Sequence, residues 1–147
     1  MASGKTDAFE SDLLLMIFMG MAIPGIADVP ASPLTALWLS LMTADPGDSL
    51  TTDQSTYEIT YSGYGRVGLA RNSSNWVRAP GYYIRPIADV LFPRCTGGAA
   101  QTATYFGIGT VASGLGKLLY FGPLSPVIVC SVGVVPILTN STAIFEE

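Results

Sequence analysis

Few side chains in this chain of 147 residues are of the kinds that catalysis uses, and histidine is missing altogether. Its absence removes the commonest general base and the commonest metal ligand. Two carboxylates, Glu58 and Asp89, could act as an acid–base pair on a glycosidic bond. Their spacing gives no reason to place them together, so we favour ion pairs with Arg66 or Arg85. The sequence therefore predicts a protein that is not an enzyme and has no catalytic residues.

Acidic residues and thiols are the next candidates, here for metal binding. Asp45, Asp48 and Asp53 share one loop, but their spacing matches no calcium loop and the bidentate glutamate is missing. Cys95 and Cys130 are too few to build a zinc site without histidine. We expect solvated turn aspartates, two free and buried thiols, and no metal.

A loose dinucleotide pattern occurs at Gly107, Gly109 and Ala112. Both glycines lie within a predicted strand, and the segment SGLGK after them predicts a turn where a helix should begin. The pattern therefore indicates no cofactor. Nucleic acid is also excluded as the main partner, because the net charge is −4 and the seven basic residues form no stripe.

Aromatic side chains are concentrated between Tyr57 and Tyr83. They could stack on sugars or bases, but half-buried strand positions and interface anchors explain them equally well. We favour the interface interpretation. The aromatic residues of this stretch are Tyr57, Tyr61, Tyr64, Trp76, Tyr82 and Tyr83, and the last three are our candidate anchors.

The low charge of the chain points to assembly. Charged residues make up 12% of the sequence, about half the usual share. A compact 15.5 kDa monomer exposes roughly 7,000 Å², or about one charge per 400 Å². With so few charged side chains on its surface, such a monomer would expose large apolar patches, which usually mark interaction sites. We expect other subunits, including copies of this chain, to cover much of the surface.

The chain begins with a polar segment followed by an apolar run. We predict an arm over residues 1–10 and a helix over 11–23 that is apolar on all sides and therefore buried on all sides. Leu13–Ile23 is too short to cross a bilayer, and prolines break the second uncharged run at 118–139. We therefore predict no membrane span. The helical candidates for contacts between subunits are Phe9, Leu13, Met16 and Ile17.

Strand signals follow the helix without an internal repeat. Residues 71–85 are predicted to be irregular, and residues 102–111 and 117–121 to form a hairpin. We predict one domain over 11–147, mainly β, folded as a β-sandwich or a barrel-like structure behind one N-terminal helix. The other predicted strands cover 35–42, 57–61, 66–69, 87–92, 127–138 (as two short strands) and 143–145.

Several short motifs occur in a fixed order over residues 10–140. A strand LWLSL with Trp38 leads into TADP with Asp45 and Pro46. Downstream motifs complete the pattern: Glu58, then GYGRV with Gly63, Tyr64 and Arg66, then FGI with Phe106 and Gly107, then LLYFGPL at 118–124. This order resembles that of small structural proteins of tailed bacteriophages, often labelled "tail fibre-like".

This resemblance implies a virion component with no enzymatic activity and no cofactor, assembled in the bacterial host cytoplasm. We prefer a head decoration (cement) protein that binds copies of itself and the major capsid protein, with the helix and arm as its clamp. The alternatives are a tail, baseplate or fibre component and, from a different class, a carbohydrate-binding module for host attachment. None of these roles needs nucleic acid or a membrane.

Overall fold

The computed structural model describes residues 7–23, 34–80 and 83–145. The protein is mainly β, with nine strands and one helix among the described residues, which confirms the predicted class. Within the described residues the strands form separate antiparallel sheets and not a closed barrel. The elements are α1 (Asp7–Met19), β1 (Ala36–Met42), β2 (Val67–Ala70), β3 (Trp76–Ala79), β4 (Tyr83–Pro86), β5 (Val90–Leu91), β6 (Gln101–Gly109), β7 (Leu118–Cys130), β8 (Ile137–Leu138) and β9 (Ile144–Phe145).

The chain divides into two compact units. The first, here called the helical unit, comprises Met1–Thr35, Ala70–Asp89 and Thr139–Glu147. The second, the sheet unit, comprises Ala36–Leu69 and Val90–Leu138. The assignment of residues 11–147 to one domain stays a prediction.

The helix of the helical unit begins at Asp7, four residues before the predicted start, and ends at Met19. Residues 7–10, which we had assigned to the arm, are therefore helical. The helix stops at Gly20, which has a φ of +67° and whose N–H donates to the Met16 carbonyl at 3.1 Å. This is the left-handed termination that glycine favours.

A three-stranded sheet packs against this helix within the helical unit. Strands β3 and β4 form an antiparallel hairpin, and β9 pairs with the other edge of β4 through Ile84 and Ile144. The prediction that 71–85 is irregular was wrong. Strands β3 and β4 have only four residues each, too few for a periodic signal, and β9 has two residues and comes from the far end of the chain.

In the sheet unit the strand order is β2-β1-β6-β7. Strand β1 lies between two neighbours, and its run from Leu39 to Met42 is continuously buried, as expected for a strand covered on both faces. The predicted hairpin is confirmed as β6 and β7, although β7 continues to Cys130. A smaller ladder pairs β5 with β8 through Leu91 and Ile137.

The strand predicted over 57–61 does not form. Tyr57 has a φ of +54°, in the left-handed region, which breaks an extended chain. Residues 57–59 instead form one isolated bridge with the end of β1, between Glu58 and Met42. In this bridge the Thr43 N–H donates to the Tyr57 carbonyl at 2.8 Å, and the Ile59 N–H donates to the Leu41 carbonyl at 3.0 Å. The alternating pattern nevertheless identified the core correctly at two positions, since Ile59 and Tyr61 are buried.

Candidate interaction surfaces and their buried supports

A nearly buried ion pair joins two of the motif residues. Arg66 Nε donates to Glu58 Oε1 at 2.7 Å, and Arg66 Nη2 donates to Oε2 at 2.6 Å. The arginine side chain is 2% exposed and that of the glutamate 14%. Arg66 also donates to the carbonyl oxygens of Val111 and Gly114 at 3.0 and 2.9 Å. Of the two partners expected, Arg66 and Arg85, Arg66 is the one that pairs with Glu58. The hydrogen bonds of Arg66 to the Val111 and Gly114 carbonyls connect this segment to the turn after β6.

Tyr64 extends the same cluster. Its hydroxyl donates to Glu58 Oε1 at 2.8 Å and accepts from the Leu41 N–H at 3.1 Å. Burial, assisted by the charge of Glu58, raises the pKa of Tyr64. The Tyr64 ring stacks on Phe92, with ring centres 6.3 Å apart. The motif GYGRV thus supplies internal supports of the sheet unit.

The glycines of the motifs mark close approaches. Gly63 has a φ of +92°, and a Cβ added there would lie 2.9 Å from the Arg94 carbonyl oxygen. A Cβ at Gly68 would lie 3.0 Å from the ring of Trp38, and one at Gly107 would lie 2.8 Å from Ser40 Oγ. The Trp38 ring and the Ser40 hydroxyl therefore pack directly on glycine backbone, and at Gly63 the backbone lies against the backbone carbonyl of Arg94.

The remaining motif residues also have structural roles. The ring of Phe106 is buried and would lie 3.0 Å from a Cβ at Gly122. Asp45 Oδ1 accepts from the Gly47 N–H at 2.9 Å, and the carbonyl of the buried Pro46 accepts from the Thr52 hydroxyl at 3.2 Å. Both residues shape the turn after β1.

Sequence reasoning missed Gln54, a fully buried polar side chain. Its Nε2 donates to the Trp38 carbonyl at 2.9 Å, and its Oε1 accepts from the Val111 N–H at 3.2 Å. A Cβ at Gly109 or Gly116 would overlap the Gln54 side chain. A glutamine in a polar loop shows no pattern of its own. The two glycines that make room for it were the available signal.

Two of the three loop aspartates, Asp45 and Asp53, accept hydrogen bonds from groups of their own loop. Asp53 Oδ1 accepts from the Ser55 hydroxyl at 2.6 Å and from the Ser55 N–H at 2.7 Å. These hydrogen bonds lower the pKa of Asp53. We searched the described residues for groups of three or more potential metal ligands, counting histidine, cysteine, aspartate and glutamate. No such group is placed to hold a metal ion in this part of the chain.

Both cysteines are free and buried, as predicted. Burial raises the pKa of the Cys130 thiol, and nearby Cys95 adds to the rise. A higher thiol pKa leaves less of the reactive thiolate at neutral pH. The two thiols are therefore part of the core of the sheet unit.

The predicted contact residues of the helix are partly exposed. Leu13, Met16 and Ile17 are half-buried, whereas Leu14 and Phe18 are fully buried. A single face of the helix packs inside the helical unit, and the burial of its other faces against neighbouring subunits stays a prediction. The Phe9 side chain lies outside the described residues.

The predicted aromatic anchors separate in the structure. Trp76 is fully buried and meets the Phe18 ring edge-on at 4.6 Å, so it is a core residue and not a surface anchor. Tyr83 is half-buried beside a surface cleft. Tyr82 lies outside the described residues.

The sheet unit exposes six aliphatic side chains, here called the exposed aliphatic group. They are between 37% and 64% exposed, and the segment from 118 to 138 carries no charge. Val127 and Val129 lie on β7, and Leu91 pairs with Ile137 across β5 and β8. Exposed apolar surface is a candidate for contacts with other proteins where it is contiguous. The group consists of Leu91, Val127, Val129, Val132, Val134 and Ile137.

These features define a class: a β-rich protein in which polar clusters support the loops and several large aliphatic side chains are exposed. The family model described as "Podophage GP4 fiber I protein gp80" matches residues 5–141, and the chain belongs to this family. It is therefore a structural protein of a tailed-phage virion, and the predicted resemblance is confirmed. No curated protein matches the chain. Among the described helices, none has the length and apolar character to span a bilayer.

Proposed function

We propose that the chain is a fibre subunit of a tailed-phage particle and acts by binding copies of itself and neighbouring virion proteins, without catalysis. The description of its family supports a fibre role. The observation that carries the proposal is the exposed aliphatic group on a chain with only 12% charged residues. Removing apolar surface from water stabilises an assembly by about 25 cal/mol per Å².

The edge of the sheet indicates how such contacts form. Strand β7 is an outer strand of its sheet, and Pro123 and Pro126 on it are exposed. Proline has no N–H to donate, so it discourages the addition of another strand at an edge. The partner therefore packs on the aliphatic side chains and does not extend the sheet.

The helix supplies a second apolar contact. Leu13, Met16 and Ile17 recur at the spacing of one helix face and are only half-buried within their own unit. These three residues and the exposed aliphatic group carry no charge, so they cannot attract a transient partner electrostatically. Contacts of this composition are typical of permanent assemblies.

The copy number of the chain in purified particles tests the fibre role. Quantitative mass spectrometry against the major capsid protein should give a small multiple of three or six, as expected for symmetric fibres. A count in the hundreds would contradict this and favour the head decoration role, in which the chain would clamp the capsid lattice. Stripping the chain would then weaken heads and leave tails in place.

A further inference from the structure

Two cysteines lie in the core of the sheet unit as free thiols. Cys95 is 1% exposed, and Cys130 is fully buried. Their hydrogen bonds are long: Cys95 Sγ donates to the Gly97 carbonyl at 3.5 Å, and Cys130 Sγ donates to the Ile128 carbonyl at 3.9 Å. A thiol is a weak donor, so these bonds leave either sulfur atom free to turn toward another partner at little cost.

Backbone hydrogen bonds bring the two cysteines together. The Cys95 N–H donates to the Val134 carbonyl, and the Cys95 carbonyl accepts from the Gly133 N–H, both at 2.9 Å. Cys130 is the last residue of β7. The chain after it turns back through a hydrogen bond from the Val134 N–H to the Ser131 carbonyl at 2.9 Å, with a φ of +88° at Gly133. Cys95 therefore pairs with the tight turn that directly follows Cys130.

The side chains of the two cysteines also lie close to each other. Burial raises the pKa of the Cys130 thiol, and the charge of a Cys95 thiolate raises it further. Burial likewise raises the pKa of Tyr61 to about 12, and both cysteines add to this rise. Because such charge effects fall off with distance, the two thiols and the phenol share one region of the core.

A virion protein passes between two redox environments. It is made inside a bacterial cell, where thiols are kept reduced, and it acts outside, where disulfides form and persist. The chain belongs to a family of virion proteins. We propose that Cys95 and Cys130 stay reduced during assembly and form an intramolecular disulfide after the particle is released. This inference rests on the virion family and is independent of the fibre role.

The oxidant in this reaction is a low-molecular-weight disulfide, such as glutathione disulfide. One cysteine gives its proton to solvent, and its thiolate attacks a sulfur atom of the oxidant and displaces a small thiolate. The second cysteine then loses its proton, attacks the mixed disulfide and displaces the other small thiolate. The two protein sulfur atoms are oxidised to one S–S bond. The oxidant is reduced to two thiols, which take up the two protons.

Equilibration of the full chain in mixtures of reduced and oxidised glutathione tests the proposal. The disulfide closes a loop that contains β6 and β7, so it restricts the unfolded chain. In the same mixture, the ratio of disulfide to dithiol should be at least about tenfold higher for the native chain than for the chain unfolded in urea. The midpoint of thermal unfolding should rise by about 5–10 °C on oxidation.

Three results of this experiment would overturn the proposal. They are an equal or lower ratio in the native chain, glutathione adducts that persist on both thiols, and a disulfide between two copies of the chain. Alkylation of the remaining thiols followed by intact mass measurement counts the free cysteines, and peptide mapping locates the bond.

Single-cysteine variants are the matched controls. Cys95→Ala and Cys130→Ala each keep one thiol, so the same mixtures should produce no internal disulfide and no rise in the unfolding midpoint. A rise as large as that of the parent chain in either variant would overturn the assignment to this pair. The comparison of the native with the urea-unfolded parent chain needs no variant, so it decides the question even where a variant does not fold.

Discussion

The Glu58–Arg66 pair illustrates how much one charged contact matters in a chain with few charges. Both side chains are largely withdrawn from water, and the arginine also holds two backbone carbonyls. Removing one member would leave the other charge buried without its partner. Such a loss costs about 3–5 kcal/mol, against about 0.2–1 kcal/mol for an exposed pair.

We therefore expect Glu58→Ala to lower the free energy of unfolding by about 3 kcal/mol. Urea denaturation followed by circular dichroism measures this. The matched control is Asp48→Ala, at an exposed carboxylate of the same unit, which should change the free energy by less than about 0.5 kcal/mol. Similar losses for the two variants would show that Glu58 is an ordinary surface charge.

Two tyrosines of the sheet unit, the buried Tyr61 and the half-buried Tyr64, make stability sensitive to alkaline pH. Burial raises the pKa of Tyr61 from 10.0 to about 12, and the pKa of Tyr64 rises in the same direction. Above pH 10 the unfolded chain loses these protons while the folded chain keeps them. Their contribution is therefore complete below pH 10 and is lost as the pH rises toward 12.

Urea unfolding measured across this pH range should show the decline. Tyr61→Phe should make the decline shallower, because the variant has no phenol to ionise at this position. Tyr57→Phe, at an exposed tyrosine, should leave the slope as it is in the parent chain. A slope that is the same in all three proteins would contradict the assignment to Tyr61.

At the scale of elements, helix α1 depends on a residue distant in sequence. Its last turn contains no basic residue. Arg71 fills this role: its Nη2 donates to the Met16 carbonyl at 2.7 Å, its Nη1 to the Leu34 carbonyl at 2.7 Å, and its Nε to Ile17. A positive charge at a helix C-terminus complements the helix dipole and satisfies its last carbonyls.

We expect Arg71→Met to fray the end of α1 and to lower the free energy of unfolding by about 2 kcal/mol. Hydrogen exchange should accelerate at the amides of Phe18, Met19 and Gly20. Arg94→Met, at an exposed arginine, serves as the control and should leave exchange in α1 unchanged. Unaltered protection in the Arg71 variant would mean that the helix ends without this support.

Two glycines with similar backbone conformations separate conformational strain from steric overlap. Gly47 has a φ of +71° and open space around it, whereas Gly63 has a φ of +92° and the Arg94 carbonyl close by. Gly47→Ala should cost about 1 kcal/mol for the left-handed backbone alone. Gly63→Ala should cost clearly more, measured by thermal unfolding. Equal losses of stability in the two variants would mean that the loop carrying Arg94 can move aside without a cost in free energy.

At the scale of the whole molecule, the exposed aliphatic group predicts association. Sedimentation velocity over a range of concentrations should detect species larger than the monomer. Val129→Lys should shift the distribution toward the monomer, because it places a charge in the apolar contact. Leu50→Lys is the control, at a fully exposed leucine outside the group. A parent chain that stays monomeric at high concentration would contradict the proposed interface.

Local pattern was sufficient for some elements and insufficient for others. The apolar run at 36–42 and the glycine-rich turn between β6 and β7 carry strong signals and were predicted correctly. The alternation at 57–61 also identified buried side chains, but the left-handed Tyr57 prevents a strand there. Trp76 resembled a surface anchor because nothing in its neighbourhood shows that Phe18, far away in sequence, covers it.

The sequence by itself determined that the protein is charge-poor and mainly β, and the order of its motifs determined its virion family. These properties depend on composition and on short-range side-chain periodicity, which a linear chain displays directly. Only the tertiary structure decided which distant residues meet: Glu58 with Arg66, Gln54 with the Trp38 carbonyl, and Arg85 with Asn140. Such pairings arise when packing brings separate segments together, and polar loop residues carry no periodic signal that would reveal them in advance.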